Sequence, residues 1–218
     1  MSMVITIDGP AGAGKSSAAH ALAQRLGFEY LDTGAMYRAV TLAALRAEID
    51  LHDQTALTQL LVGLRLELQS NRVFLNGADI TRSIRTTQVT TASGPVADSP
   101  VVRRRMVELQ RESAVGRNLI CEGRDQGTIV FPNAICKFFL FADPEERARR
   151  RQRELASRGE TIPFEEVLAA QIERDQRDAA RDIAPMVPAA DAVRLDTTRL
   201  GLDEVVSRME KEVRSRLL

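Results

Sequence analysis

Tryptophan is absent and Tyr30 and Tyr37 are the only tyrosines, so the chain has no aromatic set on which to stack the bases of single-stranded nucleic acid. Cys121 and Cys136 are its only cysteines, too few for a disulfide framework and in keeping with a reducing compartment. His20 and His52 are the only histidines, and with no Cys/His cluster a zinc site lacks ligands. Charge of one sign is also missing. The 30 basic and 30 acidic residues cancel, which argues against whole-surface capture of DNA or RNA. Nowhere do about 18 apolar residues run together, and Met1-Ser2-Met3 carries no basic region ahead of an apolar one. The expectation is a cytoplasmic protein without membrane or nucleic-acid partners. What remains is 218 residues, 44% hydrophobic and 28% charged, enough for one full domain with a smaller insert.

Val4-Ile5-Thr6-Ile7 reads as a buried strand, and Gly9 to Gly14 as a loop. From Lys15, the spacing of Ala19, Leu22, Ala23 and Leu26 predicts a helix that Gly27 terminates. Further strands are expected at 29–31, 118–121, 136–141 and 192–195, with helical stretches between them that suit right-handed crossovers. Five such strands predict a three-layer α/β fold with a parallel sheet. The stretch from about 50 to 92 alternates differently: 64–68 and 72–75 flank Gln69-Ser70-Asn71, and a second turn follows at Asn76-Gly77, which predicts a small antiparallel insert. Helices are expected from Pro100 to about Ala114 and from Pro144 to about Ser157, the latter with Asp143 as its cap. Val205, Val206, Met209, Val213 and Leu217 give a last helix its buried face.

Gly9-Pro10-Ala11-Gly12-Ala13-Gly14-Lys15-Ser16 fits G-x-x-x-x-G-K-[ST] in full, between a strand and a helix as that motif requires. Its glycines let successive backbone N–H groups face phosphate oxygens at the positive end of a helix. Lys15 is the candidate for the β- and γ-phosphates of a nucleoside triphosphate, and the Ser16 hydroxyl for Mg²⁺. The motif does not name the reaction. Absence of an N-K-x-D string argues against a regulatory GTPase.

Asp32-Thr33-Gly34-Ala35-Met36-Tyr37-Arg38 follows the second strand as a loop, and Glu122-Gly123-Arg124-Asp125-Gln126-Gly127-Thr128 follows the third. Both open on the sheet edge where α/β proteins bind ligands. Arg38 and Arg124 together with Lys15 imply more anionic charge than one triphosphate brings, and the guanidinium fork suits an acceptor phosphate. The alternative is that each arginine only pairs with a neighbouring acid.

These stretches, with Leu75-Asn76-Gly77-Ala78-Asp79-Ile80-Thr81, Ile84-Arg85, Ile129-Val130-Phe131-Pro132 and Ala184-Pro185-Met186-Val187-Pro188-Ala189-Ala190-Asp191, resemble bacterial-type cytidylate kinases over almost the whole length. The resemblance implies a P-loop core (about 1–49, 93–143 and 186–218), a monophosphate-binding insert (about 50–92) and a helical lid (about 144–185) in a single kinase unit. It implies Mg²⁺-dependent transfer of the ATP γ-phosphoryl group to CMP or dCMP by a monomer. It also implies that Gly9, Pro10, Ala11, Gly12, Ala13, Gly14, Lys15, Ser16 and Ser17 hold ATP. By the same resemblance Arg38, Arg124 and Arg181 grip the CMP phosphate, Arg103 and Asp125 read cytosine, Arg174 and Asp178 contact the ribose, and Thr33, Tyr37, Ser93 and Glu122 complete the CMP site.

A carboxylate facing the N4 amino group and an arginine facing N3 and O2 match cytosine and oppose uracil. The chain departs from the family in two ways. Ala92-Ser93-Gly94-Pro95-Val96-Ala97 has one residue more than the family's Ala-Ser-x-Val-Ala, leaving Ser93 and Gly94 as alternatives for one base-facing position. Glu122 and Thr33 stand where the family commonly has aspartate and serine.

Phosphoryl transfer needs positioning and cations more than covalent help, so Lys15, Arg181 and a lid arginine are the candidate catalytic groups. Arg147, Arg149, Arg150, Arg151 and Arg153 crowd one helix; most are expected to be solvated, and Arg150 is the candidate for the transferring group. Three other readings compete: a P-loop kinase for another monophosphate or for shikimate, a silent nucleotide sensor, and an RNA-binding protein using the basic helix.

Overall fold

The computed structural model describes residues 2–69 and 72–217. Its elements run β1 (Val4–Asp8), α1 (Lys15–Leu26), β2 (Glu29–Asp32), α2 (Thr33–Arg46), α3 (Gln54–Val62), β3 (Leu66–Gln69), β4 (Arg72–Leu75), β5 (Ala78–Asp79), α4 (Thr87–Asp98), α5 (Pro100–Ser113), β6 (Leu119–Glu122), β7 (Cys136–Phe141), α6 (Pro144–Ala156), α7 (Phe164–Ala179), β8 (Val193–Asp196) and α8 (Leu202–Arg216). Five strands form one sheet in the order β2-β6-β1-β7-β8, the expected five, and β3-β4-β5 form a separate antiparallel one. Two compact units result: Met1–Tyr30 with Gly116–Leu218, and Leu31–Val115.

In the first unit β1 lies between β6 and β7, all parallel, with Ile5 opposite Ile120 and Cys136. Such central strands are apolar on both faces because both are covered. Ile5, Ile7, Ile120, Phe138 and Leu140 pack with Ala19 and Leu22 of α1 and Val206 and Met209 of α8 in one buried cluster. The other side chains of these strands, Thr6, Asp8, Cys121, Lys137 and Phe139, are buried as well. Cys121 and Cys136 are free thiols whose burial pushes their ionisation up, Cys136 to about 11. Among the described residues no helix is long and apolar enough to cross a membrane, and no group of three acidic, histidine or cysteine side chains is placed to hold a metal ion.

The second unit carries the antiparallel sheet. Leu75 faces Ala78 across the two-residue turn Asn76-Gly77, whose φ values of 50° and 82° are those such hairpin turns require. The sheet occupies only the middle of the expected insert. α3 precedes it, capped by Asp53, whose side chain accepts the Thr55 and Ala56 amides. Ser70 and Asn71, from the turn expected between β3 and β4, lie outside the described residues.

Three local expectations are corrected. The 32–38 segment is no loop: α2 starts at Thr33, because the Asp32 side chain accepts the Ala35 amide and caps the helix. Asp143 precedes α6, but its side chain makes no cap bond; instead its backbone N–H donates to the Thr198 hydroxyl at 3.0 Å. Leu217 does not join the buried face of α8, which ends at Arg216 and leaves it 45% exposed.

Candidate active site

The P-loop leaves β1 at Gly9 and enters α1 at Lys15. Gly9 takes a φ of +136°, and a Cβ there would lie 1.9 Å from the Leu140 carbonyl oxygen. Only glycine lets the chain turn away from β7 at that distance. Gly9→Ala is therefore expected to cost at least about 3 kcal/mol and to abolish nucleotide binding, read by chemical denaturation and by titration with a fluorescent ATP analogue. Gly12 and Gly14 also have positive φ, and Gly14 precedes the first turn of α1, whose N–H groups point out of the helix start.

Lys15 is 6% exposed, and its ammonium donates to the Pro10 carbonyl at 2.8 Å, closing the loop on itself. Burial first, then the Arg124 guanidinium, push its ionisation down to about 7 against the pull of Glu122 and Asp8. Ser16 follows Lys15 at the exposed start of α1.

Glu122 ends β6, with its carboxylate taking the Tyr30 hydroxyl at 2.5 Å, and Arg124 and Asp125 follow in the loop. Arg124 Nε donates to Asp178 Oδ2 at 2.9 Å, Arg181 Nη2 to Asp178 Oδ1 at 2.6 Å, and Arg174 Nε lies 3.9 Å from Oδ2. Asp178 is 2% exposed; burial alone would raise its ionisation, but the three guanidinium groups outweigh burial and hold it below the usual carboxylate range. The structure thus gathers Arg124, Arg174, Asp178 and Arg181 into one ion cluster. Arg174 and Asp178 lie on α7, whereas Arg181 sits beyond its end: Ala180 terminates the helix, and Ala184, at φ 55° ahead of Pro185, turns the chain back.

In the second unit Arg38, one turn into α2, donates to its own capping Asp32 at 3.0 Å. Thr33 is buried at the helix start, and Tyr37 lies under the Arg103 guanidinium, 5.7 Å from ring centre. Arg103 is buried on α5 and donates to the Ala97 carbonyl at 3.0 Å. Ser93 falls inside α4, its hydroxyl donating back to Thr90 O at 2.8 Å, with Gly94 and Pro95 next in the same helix. Arg38 thus pairs with a neighbouring acid, whereas the acid that Arg124 meets is 54 residues away in the chain.

The arginines of α6 divide unequally. Arg149, Arg150, Arg151 and Arg153 reach Glu145, Glu146, Glu154 and Glu146 respectively. Arg150 also donates to the Thr197 hydroxyl and carbonyl at 3.2 and 2.6 Å, and its guanidinium would stand 3.9 Å from a Cβ on Gly14. Arg147, which the sequence does not single out, is buried. It donates to the carbonyls of Ala142 and of P-loop residue Ala11, at 3.0 and 3.1 Å, and to Asp175 of α7. Ala148 and Leu155, seven residues apart, mark the buried side of α6, but Arg147 and Arg149 both adjoin Ala148, so that pattern does not tell them apart.

Comparison with known proteins accounts for this assembly of parts. A family model for cytidylate kinase matches residues 5–215. The chain is 49% identical to a protein named cytidylate kinase from Rhodopirellula baltica over 97% of this chain and 93% of that one. It is 50% identical to another of that name from Shouchella clausii, over 93% and 92%. Among solved structures, a gluconokinase from Sinorhizobium meliloti shares the fold with a TM-score of 0.52 at 17% identity, over 99% of this chain and 93% of that one. With its P-loop, its arginine cluster and all of its parallel sheet but Val4 inside the matched span, the chain belongs to the cytidylate kinase family.

Proposed function

We propose that the chain transfers the γ-phosphoryl group of ATP to CMP or dCMP, giving ADP with CDP or dCDP. The observation that carries the reading is the buried, loop-closing Lys15 beside the Arg124–Asp178–Arg181 cluster, a donor-phosphate cation next to a set of acceptor-phosphate cations. A CMP phosphate oxygen attacks the γ-phosphorus in line, the bond to the β,γ-bridging oxygen breaks, and ADP departs with that electron pair. A phosphate monoester has its second ionisation near about 6, so at neutral pH it is already a dianion and needs no protein base.

Residues Gly9 to Ser17 cradle the donor phosphates, and Lys15 exchanges its Pro10 contact for phosphate oxygens, neutralising charge as it spreads toward the leaving group. The Ser16 hydroxyl fits Mg²⁺, an ion that keeps several waters and is bound largely through substrate phosphates rather than by a protein cage. When bound, it would supply charge neutralisation across the β- and γ-phosphates. Arg124 and Arg181 trade part of their hold on Asp178 for the CMP phosphate, Arg174 and Asp178 hold the ribose, and Asp125 faces the cytosine amino group. Glu122 completes this set. Thr33, Tyr37, Arg38, Ser93 and Arg103 of the second unit are the remaining CMP contacts in this reading, and Arg150, near Gly14, is the lid cation for the transferring group. A cytoplasmic monomer acting on free nucleotides completes it.

The test is coupled ADP release with ATP and Mg²⁺ across CMP, dCMP, UMP, AMP, GMP and shikimate. CMP and dCMP are expected to exceed AMP, GMP and shikimate by at least about a hundredfold in kcat/KM, since a mismatched buried polar pair forfeits that much. Preference for AMP or shikimate would discard the base-reading roles.

A further inference from the structure

Asp8 closes β1 directly before Gly9 opens the P-loop, and it takes no part in the mechanism above. Its side chain, 4% exposed, lies on the sheet face away from α1 and α8. Oδ1 accepts the Gln126 amide at 2.9 Å, and Oδ2 the Gly127 amide at 2.7 Å. Those two amides begin the wide π-type turn Gln126–Val130, which follows Arg124 and Asp125 without an intervening residue. The approach is close: a Cβ on Gly127 would meet the Thr6 hydroxyl at 2.9 Å and Asp8 Oδ2 at 3.3 Å.

Burial, aided by the Asp125 carboxylate, pushes Asp8 up to about 6, while the two amides and the Lys15 ammonium oppose the rise. Besides Lys15 and Asp125, the Cys121 thiol faces it from β6; the Lys137 ammonium on β7 is engaged at 2.8 Å by Asp191. The sign of this shift matters. An acid raised in the folded state is ionised in both states at neutral pH and costs stability there, a cost that fades as pH falls through about 6 toward the ordinary value. Net stability at neutral pH is therefore not what this carboxylate supplies. Its two charge-assisted bonds fix one particular piece of backbone.

We propose that Asp8 is a positioning residue that holds the Arg124–Asp125 segment at a set distance from the mouth of the P-loop, so that acceptor and donor phosphates meet in line. The proposal rests on the acceptor role given above to Arg124 and Asp125. A small misplacement of a substrate-gripping group is costly, because the reacting atoms must approach in line at short range.

Asp8→Asn in the full chain tests it, since the new amide sets an N–H against one of the two backbone N–H groups. The KM for CMP is expected to rise about tenfold, while affinity for a non-hydrolysable ATP analogue changes less than about twofold. The Tm is expected to move by less than about 4 °C, because the lost bonds are offset by relief of a buried charge. Equal weakening of both nucleotides together with a lowered Tm would mark a merely structural residue and overturn the proposal. So would an unchanged KM for CMP when Arg124→Ala raises it.

If Arg124→Ala leaves that KM unchanged, the acceptor reading fails by itself, and amide exchange then judges Asp8. Protection of Gln126 and Gly127 is expected to drop more than about tenfold in Asp8→Asn while Ile5 and Ile7 keep theirs. Should the variant not fold, the wild-type protein decides: protection at Gln126 and Gly127 should fall selectively as pH drops through about 6, and a flat profile overturns the proposal.

Discussion

Lys15→Ala is expected to lower kcat by about a hundredfold to a thousandfold, the loss that follows removal of one preorganised cation from a water-poor phosphoryl site. Coupled ADP release under saturating ATP and CMP measures it, and unchanged turnover would remove Lys15 from the reaction. The variant should fold at least as well as the wild type, because burial of the ammonium is a cost to the folded protein. The same burial predicts a protonation signature. Burial holds its ionisation down at about 7, so the lysine keeps its proton less firmly than an exposed one, and phosphate oxygens strengthen that hold. ATP binding should therefore take up protons and weaken as pH rises from about 7.5 to about 9, a range above the nucleotide's own last ionisation. Calorimetry in buffers of different ionisation heat reads the uptake, and Lys15→Ala should lose it.

Asp178→Ala is expected to destabilise the protein by about 2 kcal/mol, because the half-buried Arg124 and Arg181 are left as neighbouring cations without their buried counter-ion. Urea denaturation at neutral pH measures this, and a change below about 0.5 kcal/mol would show that the cluster relaxes into solvent. Asp178 has its ionisation lowered on folding, so its contribution is present above the ordinary carboxylate value and is lost as pH falls through the folded one. The variant's stability should accordingly lack that part of the wild type's acid decline. Activity should fall as well, with the KM for CMP raised by at least about tenfold, since two arginines lose the anchor that orients them.

The parallel sheet was legible because its strands are short β-branched or aromatic runs set between turn residues, and 136–141 was placed to the residue. The hairpin at Asn76-Gly77 was legible for a similarly local reason, a backbone conformation that few other residue pairs adopt. The P-loop could be read because its chemistry is carried by a contiguous string. Long-range partnerships could not. Nothing local distinguishes Arg147 from Arg149 as the guanidinium that enters the interior, because the carbonyls it serves belong to Ala11 and Ala142 and its carboxylate to Asp175. Tyr30 with Glu122, and Asp8 with the Gln126 and Gly127 amides, are likewise pairs about a hundred residues apart. The α2 start was missed for a subtler reason: Asp32 stands two residues before Gly34 and reads as a turn, yet the same side chain is a helix cap.

The two buried cysteines give the molecule a built-in clock. Only a thiolate reacts with alkylating reagents, and burial keeps both sulfurs protonated and out of reach in the native protein. Cys121 sits on β6 and Cys136 on β7, the two strands flanking β1, and Cys136 lies in the cluster that α1 and α8 cover, so a reagent must wait for the sheet or its helical cover to open. At high reagent concentration the labelling rate becomes the rate of that opening, and any ligand that holds the sheet together slows it without touching either sulfur.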